Sequence, residues 1–307
     1  MRLRVLSLPL LLALLATGTP SAAGAQARRA PLLVTRQWLA KRLGDTSLVL
    51  VHVVTDRAEY DAGHIPGSVP LPVGTYAVMS ADSLRNEMPT VGALQAALTA
   101  VGVADGRHVV VIGVAVPAAR LAFTMAALGL ESQVSVLDGG IEAWREGGTL
   151  PVTRTAGTPR APATLTLHPD ASRVATIADV QAVMAGAPGT APRTQVLDAR
   201  AVEFYTGASA GSMPRAGHVP GAGNVPLTSL TGVNGAMRET RAVRPLLERA
   251  GARGGDRVIT YCHTGMQASL LWLHARLAGY EARVFDGSWQ AWSRTPALPV
   301  EGAPAQP

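Results

Sequence analysis

The chain has 307 residues, 48% of them hydrophobic, and its 27 lysines and arginines against 21 aspartates and glutamates give a formal charge of +6. This length is sufficient for two domains of ordinary size, each with its own hydrophobic core. No dense basic cluster is interleaved with aromatic residues and no apolar run approaches the roughly 18 residues of a membrane-spanning helix, which disfavours nucleic-acid binding and a membrane protein.

The first 27 residues are typical of a secretory signal peptide. Arg2 and Arg4 precede an apolar run, 5–16, and small residues continue to Ala27. A charged head, a short apolar middle and a small-residue cleavage site mark an exported precursor. We therefore expect residues 1–27 to be removed and the mature protein to be periplasmic or secreted, without a membrane anchor.

Two pairs of segments recur along the mature chain. They are DAGHIPGSVPLP from Asp61 with RAGHVPGAGNVPL from Arg215, and LDGGIEAW from Leu137 with FDGSWQAW from Phe285. Such self-similarity indicates tandem copies of one module. We predict one domain over residues 28–150 and a second over 168–307, joined by a Pro-, Thr- and Ala-rich extended linker, 151–167.

In the second copy, short apolar runs alternate with helical segments. The predicted elements, in chain order, are a helix at ATIADVQAVM with Thr176 as its cap, a strand at TQVLDA, a helix at RAVRPLLERAG, a strand at DRVITYC, a helix at MQASLLWLHARLAG, a strand at EARVFDG and a helix at SWQAWSR. This alternation is typical of a parallel sheet covered by helices on both faces. The predicted fold class is α/β, with two tandem domains of this kind.

Cys262 is the only cysteine, and it lies between a predicted strand and a predicted helix. A helix amino terminus and converging backbone amides stabilise a thiolate, and Gly265 allows the loop to curl. We expect these groups to lower the thiol pKa from about 8.5 towards neutrality. Cys262 is therefore the predicted nucleophile, and the alternative is a small, buried, inert side chain.

The residues that follow Cys262 are the predicted anion-binding groups. Their backbone amides belong to His263, Thr264, Gly265, Met266, Gln267 and Ala268. The hydroxyl of Ser269 lies close in sequence and is counted as supporting. A general-base role for His263 is disfavoured, because adjacent side chains in a curled loop point apart. No metal-ligand spacing or nucleotide-binding motif occurs, so we predict neither a metal nor a cofactor.

Asp198 and Arg200, in the segment LDAR, form a second candidate group at the end of another predicted strand. They are expected either to form an ion pair that organises the site, which we favour, or to act directly on substrate. The first copy has Gly113 or Val114 where Cys262 would stand and His52 in place of Asp198. We expect the first copy to be non-catalytic, and a binding role for it stays open.

These segments resemble the rhodanese family of tandem-domain sulfurtransferases. The likeness rests on LDAR, GHVPGAGNVP, CHTGMQ and FDGSWQAW, which occur in family order within a similarity from about Leu33 to Pro299. It implies a non-catalytic first domain, a catalytic second domain and a site between them. It also implies that Cys262 takes a sulfur atom from thiosulfate or 3-mercaptopyruvate as a persulfide and passes it to cyanide or a thiol.

The resemblance also implies a donor-binding arginine. Arg215 lies near the end of an insertion, 205–216, that the first copy lacks, and such an arginine binds the anionic end of the donor in similar proteins. The alternative is an exposed loop charge. A further family arginine is missing, because Glu203 precedes Phe204 at that place, and this weakens an assignment to mercaptopyruvate.

Two other functions remain open at this point. A persulfide relay would hand its sulfur to a protein partner without efficient turnover of small donors. A cysteine-dependent phosphatase or arsenate reductase is disfavoured, because its loop is one residue longer and closes with an arginine where this chain has Gln267. A thiol-reducing protein is a candidate partner, because an oxidising compartment promotes overoxidation of a lone thiol.

Overall fold

A computed structural model describes residues 31–186, 192–232 and 235–302, and the predicted signal peptide lies outside these residues. The described chain contains two five-stranded sheets in which every pairing is parallel. The strands of the first sheet are β1 (Leu33–Val34), β2 (Leu48–Val54), β3 (Val69–Pro72), β4 (His108–Ile112) and β5 (Val134–Leu137). Those of the second are β6 (Val174–Ala175), β7 (Thr194–Asp198), β8 (Gly223–Asn224), β9 (Arg257–Tyr261) and β10 (Glu281–Phe285). The predicted α/β class with two parallel sheets is confirmed.

Helices pack on both sheets. In the first domain they are α1 (Arg36–Ala40), α2 (Arg57–Asp61), α3 (Val91–Ala100), α4 (Ala115–Ala127) and α5 (Gly140–Arg145). In the second they are α6 (Ile177–Met184), α7 (Val202–Tyr205), α8 (Thr240–Arg249), α9 (Met266–Leu277) and α10 (Ser288–Ser293). All seven elements predicted for the second copy are present. Thr176 caps α6, as predicted. Its hydroxyl accepts the Asp179 amide, and the Asp179 carboxylate accepts the Thr176 amide, which together form a capping box.

The two sheets have the same strand order and register. The orders are β1-β5-β4-β2-β3 and β6-β10-β9-β7-β8. The last residue of β4, Ile112, pairs with His52, and the last residue of β9, Tyr261, pairs with Asp198. Position 113 in the first domain is therefore equivalent to position 262 in the second, and His52 occupies the place of Asp198.

The two domains pack through the helices that follow these positions. α4 and α9 lie against each other, and Phe123 meets Trp272 edge to face with 5.5 Å between ring centroids. Leu121 and Leu271 are fully buried members of one core cluster that contains residues of both domains. Burial of apolar side chains in a shared core fixes the relative position of the two sheets.

The repeated GHxPG segment performs the same structural task in both domains. His64 stacks on Tyr60 and bonds its carbonyl oxygen through Nδ1 at 2.9 Å, and His218 does the same with Tyr205 at 2.7 Å. The backbone of each histidine also pairs with a residue that follows the last helix of its domain, Thr153 for His64 and Glu301 for His218. These contacts give both histidines a structural role.

Residues 151–167, the predicted linker, contain no helix or strand and contact the first domain. The Asp105 amide donates to the Thr164 carbonyl at 2.9 Å, and the Thr166 amide donates to the Asp105 carboxylate at 2.8 Å. His168, just beyond the linker, donates its amide to the Leu128 carbonyl at 3.0 Å.

Among the described residues, no helix combines the length and apolar character needed to cross a bilayer.

Candidate active site

Cys262 follows the middle strand of the second sheet. β9 ends at Tyr261, residues 262–265 form a tight loop, and α9 begins at Met266. Gly265 has a φ of +85°, in the left-handed region that glycine adopts without strain. A Cβ atom there would also lie 2.7 Å from Asp286 Oδ1, so the loop requires glycine for space as well as for conformation.

Three loop amides converge on the Cys262 sulfur. They belong to Thr264, Gln267 and Ala268, and each hydrogen bond favours the thiolate. Cys262 is nevertheless only 1% exposed, and this burial raises the pKa of its thiol above the ordinary value, more than the three amides lower it. The prediction that the thiol pKa is lowered is therefore wrong, although the predicted amides are in place. Reactivity of this thiol is expected to increase with pH.

The remaining predicted loop residues have distinct surroundings. Ser269 donates its hydroxyl to the Gly265 carbonyl at 3.0 Å, so it closes the first turn of α9. Met266 packs against the shared core. The Gln267 side-chain oxygen is buried and has no hydrogen-bond partner among the described residues. Of these side chains, only that of Gln267 presents an uncommitted polar atom.

His263 lies beside the nucleophile but is poorly suited to act as a base. Its ring meets Phe204 edge to face at 4.6 Å. Burial, followed by the positive charges of Arg200 and Arg85, lowers the pKa of His263 to about 4. At neutral pH the imidazole is therefore uncharged and weakly basic, which agrees with the predicted absence of a Cys-His pair.

Asp198 and Arg200 form the expected ion pair. Arg200 donates from Nε and Nη2 to the Asp198 carboxylate at 2.6–3.1 Å, and from Nη2 to the Gly217 carbonyl at 2.8 Å. Both side chains are fully buried, and the guanidinium lies over the Trp289 ring, 4.5 Å from its centroid. This geometry favours an organising role beneath the loop over direct contact with substrate.

The structure does not bring Arg215 to the loop. Its guanidinium donates to the carbonyl oxygens of Trp292, Ser293, Thr295 and Leu298 at 2.7–3.0 Å. These acceptors lie at the carboxyl end of α10, whereas Cys262 contacts the amino end of that helix through Trp289. Arg215 binds carbonyl oxygens at and beyond this helix end, and this commitment argues against the predicted donor-binding role.

A loop of the first domain completes the site. The sequence did not predict this contribution. Asn86 donates from Nδ2 to the Thr264 hydroxyl at 2.8 Å. Gln290 holds the neighbouring Arg85 at both backbone groups, accepting from its amide at 2.9 Å and donating to its carbonyl at 2.8 Å. The Arg85 side chain is exposed, and within the described part of the chain its guanidinium makes no hydrogen bond or ion pair.

A buried ion pair between the domains lies under the same loop. Arg120, on α4, donates to the Asp286 carboxylate through both terminal nitrogens, and Nη1 lies 3.2 Å from the Cβ position of Gly265. Asp286 also accepts from the Met88 amide at 3.1 Å. Burial and the Asp286 charge raise the pKa of the nearby Glu87 to about 7, and Arg120 opposes this rise. The first domain thus supplies charge beneath the nucleophile.

The first domain cannot carry a nucleophile of its own at the equivalent position. A Cβ atom on Gly113 would lie 2.3 Å from Val53 Cγ2 and 3.0 Å from the Val53 carbonyl oxygen. α4 begins at Ala115, so only Gly113 and Val114 separate strand from helix. Neither a thiol nor a curled anion-binding loop fits there.

Comparison with known proteins agrees with this organisation. A family model described as "Rhodanese-like domain" matches residues 35–147 and 184–295. A Mycobacterium tuberculosis protein provisionally named thiosulfate sulfurtransferase SseB is 32% identical over 252 residues, which cover 79% of this chain and 84% of that protein. The 3-mercaptopyruvate sulfurtransferase of Escherichia coli is 27% identical over 282 residues, 87% of this chain and 97% of that protein.

A solved structure supports the fold. The anaerobic ergothioneine biosynthesis enzyme from Chlorobium limicola, in complex with trimethyl histidine, aligns with a TM-score of 0.77. The alignment covers 89% of this chain and 70% of that chain, at 22% sequence identity. At this sequence identity, the similarity supports only a shared fold.

Proposed function

The chain belongs to the rhodanese-like family and is a sulfurtransferase, and from this premise we propose that it moves a sulfane sulfur from thiosulfate to a thiophilic acceptor through a Cys262 persulfide. The observation that carries the proposal is the convergence of the Thr264, Gln267 and Ala268 amides on a sulfur at a strand-to-helix loop. Such amides stabilise a thiolate, a persulfide anion and an anionic donor at one point.

The two half-reactions balance with the Cys262 thiolate, thiosulfate and cyanide alone. The Cys262 thiolate attacks the outer sulfur of thiosulfate, a new sulfur–sulfur bond forms, and the bond to the sulfite group breaks with its electron pair. Sulfite leaves, and the enzyme holds a persulfide. Cyanide then attacks the outer sulfur, which releases thiocyanate and restores the thiolate. No step requires a general base once the thiol is ionised, which fits the depressed basicity of His263.

We propose that Arg85 binds the anionic end of the donor. With Arg215 and Arg200 committed to internal partners, Arg85 is an exposed cation whose backbone is fixed next to the loop through Gln290. A charge-assisted hydrogen bond of this kind contributes about 1.5–3 kcal/mol where solvent is excluded, and less at a partly exposed site. Arg85→Ala is expected to raise KM for thiosulfate about tenfold with little change in kcat, because it removes ground-state and transition-state binding equally.

Two control variants make this measurement specific. Arg57→Ala removes the same charge from an exposed helix of the first domain and is expected to leave KM unchanged. Arg215→Ala removes the guanidinium that caps α10, so thermal stability should decrease while KM stays near the wild-type value. An elevated KM in Arg215→Ala, without one in Arg85→Ala, would return donor binding to Arg215.

Steady-state turnover tests the proposed activity itself. We expect continuous thiocyanate release from thiosulfate and cyanide, with ping-pong kinetics. A single turnover per protein molecule would identify a persulfide relay instead, and release of phosphate from an aryl phosphate would indicate a phosphatase. The activity for which the Escherichia coli relative is named makes 3-mercaptopyruvate the second donor to compare.

We also propose that the protein acts outside the cytoplasm, with a thiol-reducing partner. The support is the sequence of residues 1–27 and the single thiol at Cys262, which has no second cysteine to protect it. Intact mass of protein recovered from the host's periplasm or medium gives its first residue, expected at Arg28. Retention of the full leader in the cytoplasmic fraction would refute export.

A further inference from the structure

Ser288 has an unusual backbone conformation. It is fully buried at the start of α10, and its φ of +49° is in the left-handed region, which residues with a Cβ atom rarely adopt. The equivalent residue of the first domain is Gly140, which starts α5 with a φ of +55°. The fold at this turn is therefore built for glycine, and only the catalytic domain has a side chain there.

The Ser288 hydroxyl holds the backbone of the nucleophile. It donates to the Phe285 carbonyl at 2.8 Å, so its oxygen is left to accept the Cys262 amide at 3.2 Å. The next residue, Trp289, donates its amide to the Cys262 carbonyl at 2.9 Å. Both polar backbone groups of Cys262 are thus bound by consecutive residues of α10, and this fixes the direction of the Cys262 side chain.

The first domain shows that this contact is specific to the catalytic copy. A Cβ atom on Gly140 would lie 2.2 Å from the Gly113 carbonyl oxygen, so no serine fits at the equivalent turn. The first domain, which has no nucleophile, has glycine at this turn and packs closely around it. The second domain, which contains Cys262, has Ser288 there, with a strained backbone and a hydroxyl group. Strained residues of this kind concentrate where a local geometry is needed for function.

We propose that Ser288 is a positioning residue for sulfur transfer, whose hydroxyl holds Cys262 so that its sulfur faces the Thr264, Gln267 and Ala268 amides. The inference rests on the proposed function, because it assigns Ser288 to the same site. Ser288 does not contact the donor in this proposal. Its hydroxyl acts on the reaction through the Cys262 backbone.

Two substitutions separate positioning from stability. Ser288→Gly relieves the backbone strain and removes the hydroxyl, whereas Ser288→Ala removes the hydroxyl and keeps the strain. We expect Ser288→Gly to melt within about 3 °C of the wild type and Ser288→Ala to melt lower. Both should lose kcat by about tenfold with KM nearly unchanged, as expected for loss of one hydrogen bond that orients the nucleophile. A residue that only stabilises the fold would lose activity in the alanine variant alone.

A matched control lies at the other end of the same helix. The Ser293 hydroxyl is buried without a hydrogen-bond partner among the described residues, so Ser293→Ala should retain both kcat and stability. The second measurement is the rate of Cys262 alkylation by iodoacetamide against pH. Its midpoint should move to higher pH in both Ser288 variants and stay fixed in Ser293→Ala, because misaligned amides stabilise the thiolate less.

These results distinguish the two proposals. Wild-type kcat and an unshifted alkylation midpoint in Ser288→Gly would overturn the positioning role. Failure of the wild type to turn over thiosulfate, together with a shifted midpoint in both Ser288 variants, would overturn the proposed donor and leave the positioning role in place.

Discussion

Cys262→Ser is expected to abolish sulfur transfer, with a loss of at least about a thousandfold in kcat. A serine hydroxyl stays protonated at neutral pH and cannot form a persulfide, so the covalent step is lost. The side chain is nearly isosteric and lies in a loop held by backbone contacts from Trp289 and Gln290, so the fold should survive the change. Every other substitution considered above leaves the nucleophile in place and should have a smaller effect.

Intact mass after incubation with thiosulfate checks this prediction directly. The wild type should gain the mass of one sulfur atom and lose it when cyanide is added, and Cys262→Ser should gain nothing. The control is thermal unfolding, which should give similar midpoints for the two proteins. Sulfur uptake by a folded Cys262→Ser protein would contradict Cys262 as the carrier, because Cys262 is the only cysteine in the chain.

Much of the fold follows from pattern in the sequence, for reasons visible in particular elements. β9 is a run of β-branched and aromatic residues and is buried in the middle of its sheet, and α9 has the apolar side chains of a helix that packs on both a sheet and α4. The strands and α-helix of the second domain that were missed, β6, β8 and α7, have two to four residues. Elements this short exist because of their neighbours and have no periodicity of their own.

The candidate site was predictable where it is local in sequence. Cys262, its loop amides, Gly265 and the Asp198–Arg200 pair all follow from strand ends and helix starts. The predicted direction of the thiol pKa was wrong, and the geometry argues against the predicted role of Arg215, because both depend on what surrounds the side chain in three dimensions. Arg215 meets carbonyl oxygens about 80 residues away, and burial of the thiol comes from packing between domains.

The two copies differ in sequence at positions that mark features of the site. The first copy has DGG where the second has DGS, and this difference marks Ser288. α4 has Arg120 nine residues before the glycine that follows the helix, whereas α9 has Leu270 at that place before Gly279. A charged residue in an apolar interface helix requires a partner on the other domain, but the sequence does not say which acidic residue it is.

The largest stability effect is expected at this interface, from Arg120→Met. The Arg120 and Asp286 side chains are 0% and 6% exposed, and removal of one partner of such a buried pair leaves an uncompensated charge. We expect the free energy of unfolding to decrease by about 3–5 kcal/mol. The chain provides a matched comparison: Asp138 accepts the Met237 amide at 2.8 Å as Asp286 accepts that of Met88, but no arginine among the described residues pairs with Asp138. Asp138→Asn should therefore cost about 1 kcal/mol.

Denaturant unfolding of Arg120→Met, Asp286→Asn and the double variant measures the coupling between the two charges. The double variant should be more stable than Arg120→Met alone, because no buried charge is then left without a partner. Equal stabilities for the single and double variants would show that the Asp286 charge is compensated by other groups.

Because Gly265 packs directly on this pair, the same variants test whether the non-catalytic domain also shapes the loop. If it does, kcat should fall in Arg120→Met and not in Asp138→Asn. The first domain would then supply Arg85, Asn86 and Arg120 to the active site of the second.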